Sequence, residues 1–412
     1  MTADRRFATG AGLVARLLAP GFRRMIDRID AALDFGAIDV VLPDGERRLL
    51  GGRGPGPVAL VELRSWRALV RLMTAGSVGW YRAWADGEWK SPDPVPLFDL
   101  FMRNRTSLGD LGRARGPGRA VNYLLHLMRR NDRSGARRNI AFHYDLGNDF
   151  YACWLDPTMT YSSAVFVDPI DEAEPLESAQ RRKHRLLLDR LTLKPGDRLL
   201  EIGCGWGALA EIAAGEYGAR VTGITLSEEQ KRFAEHRLAV AGLDALASIE
   251  LRDYRDVEQR YDAVASVEMV EAVGEKYWPD YMAAIAGALK PGGRAAIQFI
   301  SIDDAIFESY SANADFIQTY IFPGGILISE SRFRAAAEAV GLSWRDRRGY
   351  GLHYAETLRR WRIRFDAAAA EGRLPTGFDE RFTTLWRYYL MYCEGGFRGG
   401  GIDVAQVTLV KG

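Results

Sequence analysis

The stretch SVEMVEAVGEKYW, residues 266–278, carries two carboxylates, Glu268 and Glu271, at the end of an apolar, strand-like approach, DAVASVE. No Ser–His or Cys–His pair stands beside them, and the local spacing does not suit a metal. Elsewhere in a chain such glutamates would be solvated or helix-capping residues. If these two do chemistry, it is chemistry without a conventional nucleophile, and their partners come from other segments.

A second constellation lies in LLEIGCGWGALAEIA, residues 199–213. Gly203, Gly205 and Gly207 fall between a strand and a helix, where glycine lets the backbone pass close under a ligand. That spacing alone is weak, because nicotinamide-binding folds use similar turns. Three features discriminate. Glu201, at the strand end, would repel a pyrophosphate but suits a ligand bearing an ammonium and a sulfonium. GITLSEEQ offers Thr225 and Gln230 to ribose hydroxyls. LRDYRD offers Asp253 to an adenine amino group and Tyr254 to the ring face. Singly, each is an ordinary turn or cap residue. Together, at successive strand ends, they favour S-adenosyl-L-methionine over NAD.

The elements that would hold these residues alternate strictly. RLLEIGC, RVTGITL, ASIELRD, DAVASVE and RAAIQFI read as strands, with helices such as ALAEIAAGEYG, SEEQKRFAEHRLAVAG and YWPDYMAAIAGAL between them. Such alternation predicts a parallel sheet covered by helices on both faces. An apolar, aromatic insertion, ADFIQTYIFPGGILIS, follows. Then come a helix, a strand (SWRDRRGYG), two longer helices and a terminal strand, VAQVTLVKG. Before residue 102 the spacing predicts a small α+β domain. A helix there is interrupted at Pro20-Gly21, and a hairpin turns at Pro43-Asp44-Gly45. The expected organisation is an accessory domain over 1–102, a basic linker over 103–138 and a catalytic domain over 139–412.

Composition narrows the classes. The 412 residues are 47% hydrophobic and 26% charged, with a net charge of +1. That is globular, with no overall polyanion-binding signature. The three cysteines are scattered, which disfavours a disulfide scaffold or structural zinc and suits a reducing compartment. Arg16 breaks the short N-terminal apolar run, and no window reaches the roughly 18–20 apolar residues of a spanning helix. A soluble or membrane-peripheral cytoplasmic protein is expected, with no nucleic acid as partner. Residues 103–138 hold ten arginines, two aspartates and no glutamate. They read either as a solvated linker or as a segment drawn to an anionic membrane, at about 1 kcal/mol per basic residue.

HYDLGNDFY (143–151), LDPTMTYSSAVF (155–166), LESAQ (176–180), VEMVEAVG, YIFPGG (320–325), HYAETLRRW (353–361) and YYLMYCEGGF (388–397) resemble the cyclopropane-fatty-acyl-phospholipid synthases, including the mycolic acid cyclopropane synthases. With the glycine loop, they extend the resemblance from about Asn139 to the C-terminus. It implies a class I methyltransferase: a Rossmann-like, seven-stranded, mostly parallel sheet binding S-adenosyl-L-methionine and methylating a cis double bond in a phospholipid acyl chain. The resemblance places Tyr161 and Ser162 over the methionine end of the cofactor. It also implies a bicarbonate ion held by Ser163, Glu271, Gln298, the Ile300 backbone and Tyr354, and it implies a dimer.

An alkene is a weak nucleophile, so it needs a strong electrophile held close. Methyl transfer leaves a carbocation, which a nucleophile would capture and aromatic faces or a carboxylate would stabilise. Tyr144, Tyr161, Tyr310, Phe316, Tyr320 and Tyr354 are the aromatic candidates, most of them equally suited to plain core packing. Glu271 is expected to stabilise the cation and anchor the base, with Glu268 in support. Three positions depart from the family: Ser163 for cysteine, Ala272 for histidine and Gln298 for histidine. Glutamine cannot take a proton near neutral pH. The expected product is a cyclopropane fatty acid, the family default, with a methylene- or methyl-branched unsaturated chain as the alternative that these departures raise. A soluble-substrate methyltransferase and a non-catalytic lipid-binding protein are the rival readings.

Overall fold

Apolar positions Phe22, Met25, Ile26, Ile29 and Leu33 recur at helical spacing and are all buried. In the computed structural model, which describes residues 13–109 and 146–412, they form one face of an unbroken helix, Leu13–Ala32. The expected break at Pro20-Gly21 does not occur: burial of the stripe outweighs local propensity. Most of the basic stretch, from residue 110 onward, and Tyr144 lie outside the described residues.

The chain divides into two compact units. One comprises Met1–Met128, Glu308–Ile321 and Gly377–Ile402; the other comprises Arg129–Phe307, Phe322–Thr376 and Asp403–Gly412. Two segments late in the sequence thus pack with the N-terminal unit, a grouping that the expected sequential boundaries do not contain.

In the first unit, β1 (Ala37–Val41) and β2 (Arg47–Gly51) form the expected hairpin. With β3 (Val58–Leu63) and β4 (Trp89–Lys90), the sheet order is β2-β1-β3-β4. The helix Glu380–Arg398 lies close on the helix Val95–Arg103. A side chain at Gly395 would put its Cβ 2.4 Å from Phe98 Cβ, so glycine permits this approach. Phe316 is fully buried against Tyr81, Tyr388 and Tyr392.

The second unit holds the alternating elements. Its strands are β5 (Arg198–Ile202), β6 (Arg220–Thr225), β7 (Ala247–Leu251), β8 (Tyr261–Val267), β9 (Leu289–Ile302), the two-residue β10 (Ile328–Ser329), β11 (Leu342–Gly349) and β12 (Ile402–Lys411). Seven follow the order β11-β12-β9-β8-β5-β6-β7, and β10 pairs with β9. The pairs β5–β6, β5–β8, β6–β7 and β8–β9 are parallel, while β11–β12 is antiparallel. A register shift between Tyr261 and Ala263 lets Lys290-Pro291-Gly292-Gly293 loop out of β9. Leu187, Leu188, Leu209, Ile212, Ala213 and Leu238 seal one face of the sheet against Leu199, Val221, Ile249 and Ala263. Sheets of this kind bind ligands beyond the carboxyl ends of their strands, which is where β5, β6, β7 and β8 release the candidate residues.

Candidate active site

The glycine loop has the backbone its sequence calls for. Gly203, Gly205 and Gly207 have φ of +81°, +52° and +84°. A Cβ on Gly203 would lie 2.9 Å from Met269 Cγ, and one on Gly207 would lie 2.9 Å from Ala234 Cβ. The loop therefore tolerates no side chain at either position. Gly207 caps the helix Ala208–Tyr217.

Glu201, next to the end of β5, is almost fully buried, and its Oε2 has no hydrogen-bond partner among the described residues. Burial pushes its carboxyl up to about 8, against the opposing charge of Lys183. A buried acid with one oxygen unsatisfied fits a ligand that brings a cationic group to it. Thr225 Oγ1 donates to Gln230 Oε1 at 2.8 Å, which couples the two ribose candidates across the N-terminus of the helix Glu228–Val240. Asp253, the adenine candidate, is paired with Arg255. Both its oxygens are engaged by the Arg255 guanidinium, at 2.8 and 2.6 Å, and Oδ1 also accepts the Arg255 backbone N–H. Tyr254 meets Tyr281 edge-on at 5.4 Å and carries Arg255 on its face.

At the end of β8 the polypeptide makes an unusual turn. Glu268 has φ +47°, a left-handed conformation that a glutamate seldom adopts. The turn aims its carboxylate at three donors from distant segments. The Ser163 backbone N–H and Gln298 Nε2 each donate to Oε1 at 2.8 Å, and Tyr354 Oη donates to Oε2 at 2.8 Å. Gln298 sits on β9 and Tyr354 on the helix Gly351–Ala370. The Gln298 amide is oriented by Gln406 of β12, whose Nε2 donates to Gln298 Oε1 at 3.0 Å. Burial pushes the Glu268 carboxyl up, opposed by the charge of Lys183 and by these three donors.

Glu271 is differently placed. Its Oε1 accepts the Ile300 backbone N–H at 2.5 Å, and its Oε2 is buried without a partner among the described residues. Burial, followed by the neighbouring charge of Glu268, pushes it up to about 8. Glu268, expected only to support Glu271, is the carboxylate on which the donors converge. The five groups that the resemblance assigns to bicarbonate do not fit that ion here. Gln298 and Tyr354 are turned to Glu268, Ile300 N–H to Glu271, and Ser163 Oγ to the Ala164 carbonyl at 3.0 Å, while Glu271 adds a second acid.

Ser162 Oγ accepts from Lys183 Nζ at 2.6 Å. Lys183 is fully buried, and burial lowers its ammonium to about 8 against the charges of Glu268, Asp156 and Glu201. Lys183 and Gln406 were not apparent as site residues in the sequence. The available signal was a lysine on the apolar stripe Leu176, Gln180, Lys183, Leu187 of its helix. Tyr161 packs among Tyr151, Trp154 and Trp361, with centroids 5.3–5.4 Å apart. Phe316 and Tyr320 belong to the first unit. Phe316 is core, and Tyr320 Oη accepts from Arg82 Nε at 2.9 Å. Tyr310 lies in that unit too.

The sequence and the fold have known relatives. The sequence profile of mycolic acid cyclopropane synthetase matches residues 131–407. The chain belongs to this family. It is 40% identical over 357 residues to the tuberculostearic acid methyltransferase UfaA1 of Mycobacterium tuberculosis, covering 83% of this chain and 80% of that one. It is also 40% identical over 273 residues to the cyclopropane-fatty-acyl-phospholipid synthase of Escherichia coli, covering 66% and 67%. Among solved structures, the cyclopropane synthase MmaA2 from Mycobacterium tuberculosis superposes with a TM-score of 0.62 at 30% identity, over 67% of this chain and 98% of that chain. The mycolic acid cyclopropane synthase CmaA1 complexed with SAH gives 0.62 at 31%, over the same shares. The cyclopropane synthetase homologue is thus a class I, S-adenosylmethionine-dependent C-methyltransferase that methylates lipid acyl chains.

Proposed function

We propose that this family member methylates the cis double bond of an unsaturated acyl chain in a membrane phospholipid and leaves a one-carbon branch with a surviving double bond. The observation that carries the reading is the carboxylate of Glu268, fixed by Ser163, Gln298 and Tyr354 beside a glycine loop shaped for the cofactor. S-adenosylmethionine supplies an electrophilic methyl group on a positively charged sulfur.

Glycine at 203 and 207 and the acid Glu201 would hold that cofactor, with Thr225, Gln230 and Tyr254 along its nucleoside. Tyr161 and Ser162 would cover its methionine end. Positioning the alkene against the methyl is the larger part of the rate acceleration. The ring faces of Tyr161 and Tyr354 and the charge of Glu268 stabilise the cation left on the chain. A hydride shift to the cationic carbon and loss of a proton from the new methyl give the branched alkene. The relative matched over 357 residues is named a tuberculostearic acid methyltransferase, which supports a branch. A second reading, loss of the methyl proton with ring closure, is supported by equal identity to the Escherichia coli cyclopropane synthase.

No helix among the described residues is long and apolar enough to cross a membrane. The basic stretch 103–138 supports a peripheral station on an anionic leaflet, such as the inner face of the cytoplasmic membrane, and the family resemblance supports a homodimer. The test is lipid mass spectrometry after expression in a bacterium without such enzymes, fed methyl-labelled methionine. Labelled chains that ozonolysis still cleaves support the branch. Labelled chains that resist it establish the ring. Lipids without label refute both.

A further inference from the structure

We propose that Glu268 is a resident carboxylate standing where relatives use a bound bicarbonate ion, and that it accepts the final proton itself, so that this enzyme works without bicarbonate. The inference rests on the acyl-methylation reading and supplies the base which that reading needs.

A carboxylate and a bicarbonate share a planar, negatively charged O–C–O edge, so one set of donors serves either. Here the donors are spent. Ser163 N–H and Gln298 Nε2 bond Oε1, and Tyr354 Oη bonds Oε2. A second anion among them would meet the Glu268 charge at contact distance, an arrangement that like charges disfavour. The backbone supports the same conclusion. A glutamate at φ +47° is in a strained, left-handed conformation, and its side chain makes three bonds there. Gln298 can orient the carboxylate but cannot take a proton. Its amide is locked donor-first because Gln406 occupies Oε1.

The acceptor atom follows from the bonding. A carboxylate has about four lone-pair sites. Oε1 accepts two donors and Oε2 accepts one, which leaves an open site on Oε2. In the step, a methyl C–H bond breaks. After the hydride shift, its electron pair becomes the π bond between the former methyl carbon and the adjacent cationic carbon, which discharges the cation, and the proton passes to Oε2. Nothing is oxidised or reduced. Glu271, held up to about 8 and bonded to β9 through Ile300 N–H, remains a neutral neighbour near pH 7.

The test uses the full-length protein on vesicles of monounsaturated phosphatidylglycerol, in carbon dioxide-free buffer with and without added bicarbonate. Glu268→Gly suits the left-handed backbone and opens a hollow lined by the three donors. Glu268→Gln keeps the hollow filled. Wild type should keep its rate without bicarbonate. Both variants should lose about 100-fold or more, the size expected of a general base. Added bicarbonate should restore Glu268→Gly alone. Separately from turnover, bicarbonate should raise the melting temperature of Glu268→Gly and leave wild type unchanged. A wild-type rate that falls on bicarbonate removal and returns on addition overturns the proposal, as does full activity in Glu268→Gln. If wild type methylates no acyl chain, the functional reading falls. The melting experiment then decides: stabilisation of Glu268→Gly alone upholds the carboxylate-for-bicarbonate exchange, and any other pattern overturns it.

Discussion

Removing the Tyr354 hydroxyl should change the pH dependence of the enzyme more than its maximal rate. Tyr354 Oη donates to Glu268 Oε2 at 2.8 Å, one of three bonds that oppose the upward push of burial on its carboxyl. A hydrogen bond to a charged group is worth about 1.5–3 kcal/mol. Tyr354→Phe should therefore push the Glu268 carboxyl further up, and 1.5–3 kcal/mol corresponds to about 10- to 100-fold in the ionised population. The ring itself stays, so the edge-on contact with Trp361 at 6.1 Å is kept. Only ionised Glu268 can accept a proton. The acid limb of kcat/KM should therefore move toward alkaline pH, with a loss of about 10- to 100-fold below the limb. Above the displaced limb the rate should return, because a base of higher pKa is intrinsically stronger. The assay is transfer of labelled methyl to phospholipid vesicles across pH 5–9, with cofactor affinity measured separately and expected to be unchanged. A loss of equal size at every pH would refute the assignment, since it would make the hydroxyl a packing or substrate contact.

Glu271, raised to about 8 from 4.5, holds its proton in the folded chain between those two values while the unfolded chain has released it. Stability therefore falls as pH rises through that window. Glu271→Gln should melt above wild type at pH 8 and converge with it near pH 5; a constant difference in scanning calorimetry would contradict this. Gly207→Ala, at φ +84° with Ala234 in the way, should weaken S-adenosylhomocysteine binding by about 10-fold or more in titration calorimetry, and unchanged affinity would mean the loop does not cradle the ligand. Replacing Arg113, Arg115 and Arg119 with glutamine should weaken binding to anionic liposomes most at low salt; sedimentation that does not change would return the stretch to a plain linker.

The alternating strands and the glycine loop were legible because each rests on local spacing. Gly203 and Gly207 must be glycine for reasons written within a few residues of themselves, and Glu201 is fixed at the strand end by the same run. The pair Glu268 and Glu271 was legible as a pair. Which of them gathers the donors was not, because Ser163, Gln298 and Tyr354 lie 105, 30 and 86 residues from Glu268, and a positive φ at Glu268 has no sequence signature. The ion pair of Asp253 with Arg255, two residues on, was not anticipated, although both residues stand in the same short run. Pro20-Gly21 misled for the opposite reason: a strong local signal lost to the buried stripe from Phe22 to Leu33.

The left-handed backbone at Glu268 has an evolutionary corollary. Glycine is the residue most at ease in that conformation, and glutamate and glycine codons differ by a single base. One point mutation can therefore exchange a built-in carboxylate for an empty hollow without recasting the turn. Dependence on a dissolved ion and freedom from it are neighbours in genotype, and a lineage facing scarce carbon dioxide could cross between them in one step.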